Sequence, residues 1–304
     1  MSGAAASATA LLFRSVRAAR SWVRAGGASL DPRARACALM KPGEAGAPVF
    51  MIPGAPGSVL QLAPLAEAIP GTMPVYAIKP RGLAAGEVPA RDLGEMAEHT
   101  IGAMRAVQPH GPYRLVGYSA GGLVALETAR RLAAAGQKVP LVVLLDTYPS
   151  REVWPLGCHA EILVRQALRA LWGLRRYTIR EAAADVRRRL RSLGHYLAYS
   201  GVGAWPKPPV LAEGSDTASR RVYLATYEAG EAYRPERYDG RVVFLQPALV
   251  PNLEPRAPAK VWRRFLPALE IRRVPGSHLG MLEPAAAAAA GAEIGRCLDD
   301  GPSR

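Results

Sequence analysis

The stretch YRLVGYSAGGLVALETARRL, residues 113–132, narrows the choice of folds more than any other part of the chain. An apolar run of strand character passes through Gly117-Tyr118-Ser119-Ala120-Gly121 straight into a helical pattern, with Leu123, Leu126, Ala129 and Leu132 on one face. Arg130 and Arg131 stand in the last turns and Gly136 follows. Cations complement the carbonyl end of a helix there, and glycine takes the left-handed residue that stops it. G-x-S-x-G between a strand and a helix is a nucleophile elbow, a strained turn that lifts the serine hydroxyl to the helix N-terminus. Backbone N–H groups at that terminus favour negative charge. Side chains at 117 and 121 would collide with the neighbouring strand and helix, so both positions need glycine. A chain with this turn is expected to build a parallel sheet with helices packed against it.

The rest of the pattern agrees. Short apolar runs recur at 49–52, 75–78, 113–118, 141–145, 242–245 and 269–274. Most are near-continuous rather than alternating, which suits strands buried on both faces of a parallel sheet. Helical stretches at 59–69, 92–107, 120–135, 257–266 and 283–298 fall between them. The alternation breaks over 151–240, which holds helical pieces at 161–174 and 179–199 and the Gly/Pro-rich run GVGAWPKPP. Such an insertion is too long for a loop and too short for a typical second domain. It is expected to be a helical lid over the carboxyl edge of the sheet. The expected organisation is an Arg/Ala-rich N-terminal extension over 1–45 and one α/β domain over 46–304, with the lid at about 151–240.

Composition matters mainly through where the charge sits. The chain has 304 residues and a formal net charge of +14. Residues 1–41 carry +6, whereas residues 42–150 hold eight basic and eight acidic side chains. A nucleic-acid-binding reading wants basic stripes on the folded core, so it is set aside. Arginine supplies 34 of the 39 basic residues, and a GC-rich coding bias accounts for this as readily as a selected role. The first forty residues place Arg14, Arg17, Arg20 and Arg24 at near-helical spacing with no acid before Asp31. A transit peptide, a surface-seeking helix, a packed N-terminal helix and a loose tail all fit that pattern. No run reaches the ~18 apolar residues of a membrane-spanning helix. Three scattered cysteines, Cys37, Cys158 and Cys297, argue against a disulfide framework or a zinc site and for a reducing compartment, the cytoplasm. No metal or cofactor is expected.

A serine is a weak nucleophile until a base, itself held by an acid, takes its proton. Along a chain of this fold the order is Ser, then Asp or Glu, then His. Of the five histidines, His99 lies in a helix, His110 in a turn, and His159 and His195 in the insertion. His278, in VPGSHLGML, alone follows the last strand, in a loop at the carboxyl edge where this architecture places its chemistry. Two carboxylates compete for the acid. Asp146 ends the strand LVVLLD, 27 residues after Ser119, and Glu254 lies in a Pro-rich loop after RVVFLQ. Asp146 is preferred because it closes a strand at the sheet edge, one strand along from the elbow. For an oxyanion, the N–H groups of Ala120 and Ala55 are the expected donors, since Pro53 and Pro56 have none.

PVFMIPGAPGS, VYAIKPRGL, QPHGPYRLVGYSAGGLVALETARRL, VVLLDTYP and VPGSHLGML resemble, in order and spacing, thioesterase domains of nonribosomal peptide and polyketide synthases. The resemblance covers roughly residues 46–298. It implies an α/β-hydrolase fold, a mostly parallel central sheet flanked by helices, with a helical lid matching 151–240. It implies that an acyl or peptidyl chain moves from a phosphopantetheine thiol onto Ser119, with His278 as base and Asp146 as acid, and leaves by hydrolysis or cyclisation. Ala55 and Ala120 would form the oxyanion hole. The chain departs from the pattern at Pro56-Gly57, where consecutive glycines are common. No carrier-domain sequence precedes the hydrolase, so the chain looks free-standing and would dock an acyl or peptidyl carrier in trans.

Two other readings share these residues: a carboxylesterase or lipase acting on oxygen esters, and a catalytically idle module that grips a carrier or an acyl chain. The lid sequence bears on the partner. Residues 161–191 contain nine arginines against three acids, and Arg180, Arg187, Arg188 and Arg191 fall near one face of a helix. Such a face would steer an acidic carrier, although a solvated face in an Arg-biased protein explains it as well.

Overall fold

Every residue of the run LVVLL at 141–145 is buried. A strand apolar on both faces needs a layer on each, and the molecule supplies them. The computed structural model describes residues 32–55, 57–174, 217–250 and 254–300. Its elements in chain order are α1 (Pro32–Ala36), β1 (Cys37–Lys41), β2 (Val49–Ile52), α2 (Ala63–Ala68), β3 (Val75–Ile78), α3 (Leu93–Val107), β4 (Arg114–Tyr118) and α4 (Ala120–Ala134). They continue with β5 (Leu141–Leu145), α5 (Leu156–Leu174), α6 (Thr217–Ala232), β6 (Val242–Leu249), α7 (Ala259–Trp262), β7 (Leu269–Ser277) and α8 (Pro284–Asp299).

The seven strands form one sheet in the order β1-β3-β2-β4-β5-β6-β7. All neighbours run parallel except β1, which lies antiparallel to β3. Side chains alternate between two cores. Phe50, Leu115, Val142, Leu144 and Phe244 meet the face covered by α3 and α4. Met51, Val116, Val143, Leu145 and Val243 meet the face covered by α2 and α8. The α3 helix starts where its sequence says it should, with the Asp92 side chain accepting the Glu95 N–H at 2.8 Å.

The strands at 49–52, 75–78 and 141–145 end where the apolar runs end. Three differences stand out. The folded unit does not begin at 46: Cys37 pairs with Ile78 and Ala38 with Ala77, inside the stretch expected to be an extension. The run CALMK is short and mostly half-buried, as an edge strand is, so it carries little pattern. The helix expected over 257–266 is only the four residues of α7 followed by turns. Within 151–240 the described helices are α5 and α6, the latter not singled out by its sequence. The piece at 179–199, His195, Arg180, Arg187, Arg188 and Arg191 lie outside the described residues.

Candidate active site

Strand β4 delivers the chain to Ser119, which adopts φ 54° and ψ −127°. A side-chain-bearing residue with positive φ is costly, and such strain collects at functional turns. The turn is held by the Ser119 N–H donating to the Leu145 carbonyl at 2.9 Å and by the Thr147 hydroxyl donating to the Ser119 carbonyl at 3.0 Å. The flanking glycines are required by close approach. A Cβ on Gly117 would lie 2.4 Å from the Gly122 Cα, and one on Gly121 would lie 2.3 Å from the Pro53 carbonyl oxygen. The second contact brings the loop after β2 against the start of α4, so Ala55 and Ala120 line one cavity with Ser119.

Asp146 follows β5 directly and is also left-handed, at φ 45°. Its N–H donates to the Leu245 carbonyl at 3.1 Å, and its side chain is fully buried. One carboxylate oxygen, Oδ2, lies 2.8 Å from Nδ1 of His278, which extends from the loop after β7. The other, Oδ1, is buried without a hydrogen-bond partner. With Nδ1 engaged, Nε2 is the imidazole nitrogen left for chemistry. Ser119, Asp146 and His278 share a cavity of about 500 Å³ at the carboxyl edge of the sheet.

Tyr118 adds a clamp that its place as a variable position in G-x-S-x-G did not signal. Its ring stacks on the His278 imidazole, centroids 5.0 Å apart, and its hydroxyl donates to the His278 carbonyl at 2.8 Å. Burial, reinforced by the Asp146 charge, pushes the phenol well above its ordinary range, so it stays a donor.

Glu254 reaches the same cavity. It does not take the Asp146 place beside Nδ1, and its Oε2 is buried without a partner. Burial, then the Asp146 charge, raises its pKa to about 7, against the opposing pull of His278, Arg151 and Arg165. Gln246, which ends the apolar run of β6, is buried and donates to the Arg256 carbonyl at 2.8 Å. Glu231 of α6 and Arg151 complete the walls. Glu231 accepts from the Ser150 hydroxyl at 3.3 Å, and burial raises its pKa to about 7. Arg151 holds its guanidinium over the Trp154 ring.

The other described histidines sit apart from this cavity. His99 Nε2 lies 2.9 Å from the Lys79 carbonyl oxygen, His110 is exposed, and His159 lies beside Trp154 in α5. Among the described residues no group of three or more His, Cys, Asp or Glu side chains is placed to hold a metal ion. None of the described helices is long and apolar enough to cross a membrane.

The end of α6 is tied to α4 through a buried carboxylate. Glu127 on α4 accepts from Arg130 and Arg131 and from the Tyr233 hydroxyl just beyond α6, at 3.1 Å. Burial disfavours the charge on Glu127, but the two guanidinium groups outweigh it and hold the pKa below the usual carboxylate value.

Sheet order, strained serine turn and helical layers define the α/β-hydrolase fold. Residues 47–194 match the model of the thioesterase-domain family. Curated relatives include a nonribosomal peptide synthetase of Aspergillus terreus, 42% identical over 103 residues, 34% of this chain and 11% of the relative. An indigoidine synthase of Dickeya dadantii is 41% identical over 99 residues, 33% of this chain and 7% of the relative. A protein named inactive atromentin synthetase, from Paxillus involutus, is 38% identical over 102 residues, 34% of this chain and 11% of the relative. The chain thus spans about a tenth of the length of the curated relatives it matches. Among solved structures, a four-domain nonribosomal peptide synthetase bound to AMP and glycine superposes with TM-score 0.60 at 23% identity, over 86% of this chain and 20% of that one. The type II thioesterase BorB from a borrelidin cluster superposes with TM-score 0.55 at 20% identity, over 88% and 97%. At these identities the structural likeness establishes the fold.

Proposed function

We propose that the protein is a serine thioesterase that takes an acyl, peptidyl or polyketide chain from a phosphopantetheine thioester, through an acyl-Ser119 intermediate. The observation that carries this reading is the 2.8 Å contact of His278 Nδ1 with the buried Asp146, in the cavity that also holds the strained Ser119. Ser119 Oγ attacks the thioester carbonyl carbon and its proton passes to His278 Nε2. Asp146 fixes the ring tautomer and stabilises the imidazolium. The Ala55 and Ala120 N–H groups receive the oxyanion. Collapse of the tetrahedral intermediate expels the thiolate, which takes the proton from His278. Water, or a nucleophile within the chain, then attacks the acyl-enzyme with the same base assisting. Side chains and backbone donors supply each of these steps, so the reaction as written calls for no cofactor.

The partner in this reading is an acyl or peptidyl carrier protein docking in trans, guided by the arginines at 180, 187, 188 and 191, and the setting is the cytoplasm. The Paxillus relative with an inactive label keeps the idle binding module in play. One experiment separates the readings. Ser119→Ala should abolish acyl-pantetheine hydrolysis, a loss of about 10⁴-fold or more, and mass spectrometry should find a fluorophosphonate adduct on Ser119 of the unmodified protein only. An unlabelled serine would favour the idle module. Turnover of nitrophenyl esters but not of thioesters would favour the esterase.

A further inference from the structure

The cavity around Ser119 is acidic in a basic protein. Against a chain charge of +14, its lining sets three carboxyls, Asp146, Glu231 and Glu254, against His278 and Arg151. Asp146 and His278 are engaged with each other, and Arg151 lies 5.6 Å from the centroid of the Trp154 ring. Of the other two carboxyls, Glu254 has a buried oxygen without a partner and Glu231 accepts only from the Ser150 hydroxyl, at 3.3 Å.

They differ in setting. Glu254 stands near Asp146, whose charge opposes its ionisation. Glu231 lies on the lid side, on α6, and Tyr223, Tyr227 and Glu231 recur every fourth residue of that helix. Residues four apart share a helix face, so one face of α6 turns two phenol rings and a carboxyl toward the cavity. The two rings are stacked, centroids 6.4 Å apart with planes at 19°. Tyr148 and Trp154 line the same space. Around Glu231 itself, the Ser150 hydroxyl, Arg151 and Arg234 favour the carboxylate, while burial and Glu152 oppose it. Arg234 is also bonded to the Glu231 and Tyr233 carbonyls and paired with Glu152.

Aromatic faces and a half-buried carboxyl together match one kind of ligand. An ammonium leaving water needs a negative partner, and it gains from the electron-rich face of a phenol or indole ring. A purely aliphatic chain would instead desolvate Glu231 and give it no donor. Resting on the thioesterase reading, we propose that the acyl group this cavity accepts bears a free amine, held as an ammonium between the Glu231 carboxylate and the Tyr223–Tyr227 face. On binding, the charge of the ammonium ionises Glu231, whose proton is released to solvent. Aminoacyl and amine-bearing acyl thioesters are therefore the substrate class.

The test uses two matched pairs of pantetheine thioesters, phenylalanyl against 3-phenylpropanoyl and 5-aminopentanoyl against pentanoyl. In at least one pair, kcat/KM for the amine-bearing member should exceed that of its partner by about tenfold or more, the worth of a hydrogen bond to a charged group. That ratio should collapse toward one in Glu231→Gln and survive in part in Glu231→Asp, which keeps the charge. The same pairs made as non-hydrolysable amides are titrated calorimetrically into the Ser119→Ala protein, with and without Glu231→Gln. An amine preference in binding without any turnover would sink the thioesterase reading and leave this recognition standing. Turnover of all four thioesters with no amine preference in rate or binding, or a preference indifferent to Glu231→Gln, would overturn the recognition alone.

Discussion

Nδ1 of His278 meets Oδ2 of Asp146 at 2.8 Å across 132 residues of sequence, while Glu254, close enough for its charge to be felt, makes no such contact. On the proposed mechanism this geometry gives the two carboxyls different roles. Asp146→Asn should lower kcat by a factor on the order of 10⁴, because an amide cannot fix the productive tautomer. Glu254→Gln mimics a carboxyl that burial keeps protonated up to about pH 7, so steady-state rates below that pH should barely move. The sign for stability also follows. An acid whose folded pKa lies above its unfolded value loses folding free energy as pH rises from near 4.5 to near 7. Thermal melts of Glu254→Gln across that window should decline less than those of the unmodified protein. Reversed kinetic outcomes would move the acid to Glu254.

Tyr118→Phe keeps the ring stacked on His278 and deletes only the hydroxyl that holds the His278 carbonyl. Loss of one such hydrogen bond, near 1 kcal/mol, should lower kcat about fivefold and leave KM alone on the reading in which the hydroxyl serves to position His278. A rise in KM with kcat unchanged would show that the hydroxyl belongs to the binding wall instead.

Glu127→Gln should loosen the tie between α4 and the end of α6. Replacing a buried carboxylate held by two guanidinium groups and a phenol should cost about 2–3 kcal/mol in chemical denaturation, the range for hydrogen bonds to charged groups. The folded pKa of Glu127 is depressed, so its contribution is present above the unfolded value near 4.5 and disappears as pH falls below it. The stability gap between the two proteins should therefore narrow at acid pH. A gap of equal size at pH 3 and pH 7 would mean that packing, not charge, is lost.

The lid arginines make a separate prediction. Arg187→Glu with Arg188→Glu should raise KM severalfold for a carrier-bound thioester and leave a small uncharged thioester unaffected. The carrier effect should shrink with salt, because exposed charges are screened beyond ~8–10 Å near physiological ionic strength. Equal losses on both substrates would assign these residues to holding the lid together.

What could be read from the residues follows from where the physics is local. The elbow announces itself because its constraints, two glycines and a strand-to-helix switch, lie within a few positions of Ser119. Strands such as Leu141–Leu145 are visible because burial on both faces leaves an unbroken apolar run. The Tyr118 hydroxyl, the Glu127 cluster and the nearness of Glu254 to Asp146 arise between segments far apart in the chain, and no spacing rule carries them. The four-residue repeat of Tyr223, Tyr227 and Glu231 lies in plain view, but in a helix whose buried face, Val222, Thr226, Ala229 and Gly230, is too weakly apolar to mark it.

The antiparallel strand Cys37–Lys41 has a practical bearing on how this domain is handled. Cutting the chain at residue 46, where its regular alternation starts, would strip a strand off the sheet and leave the β3 backbone with an open row of donors and acceptors. Exposed edges of that kind recruit other chains. Material beginning there would self-associate with its serine turn intact, and poor behaviour in solution would be mistaken for a failure of the site.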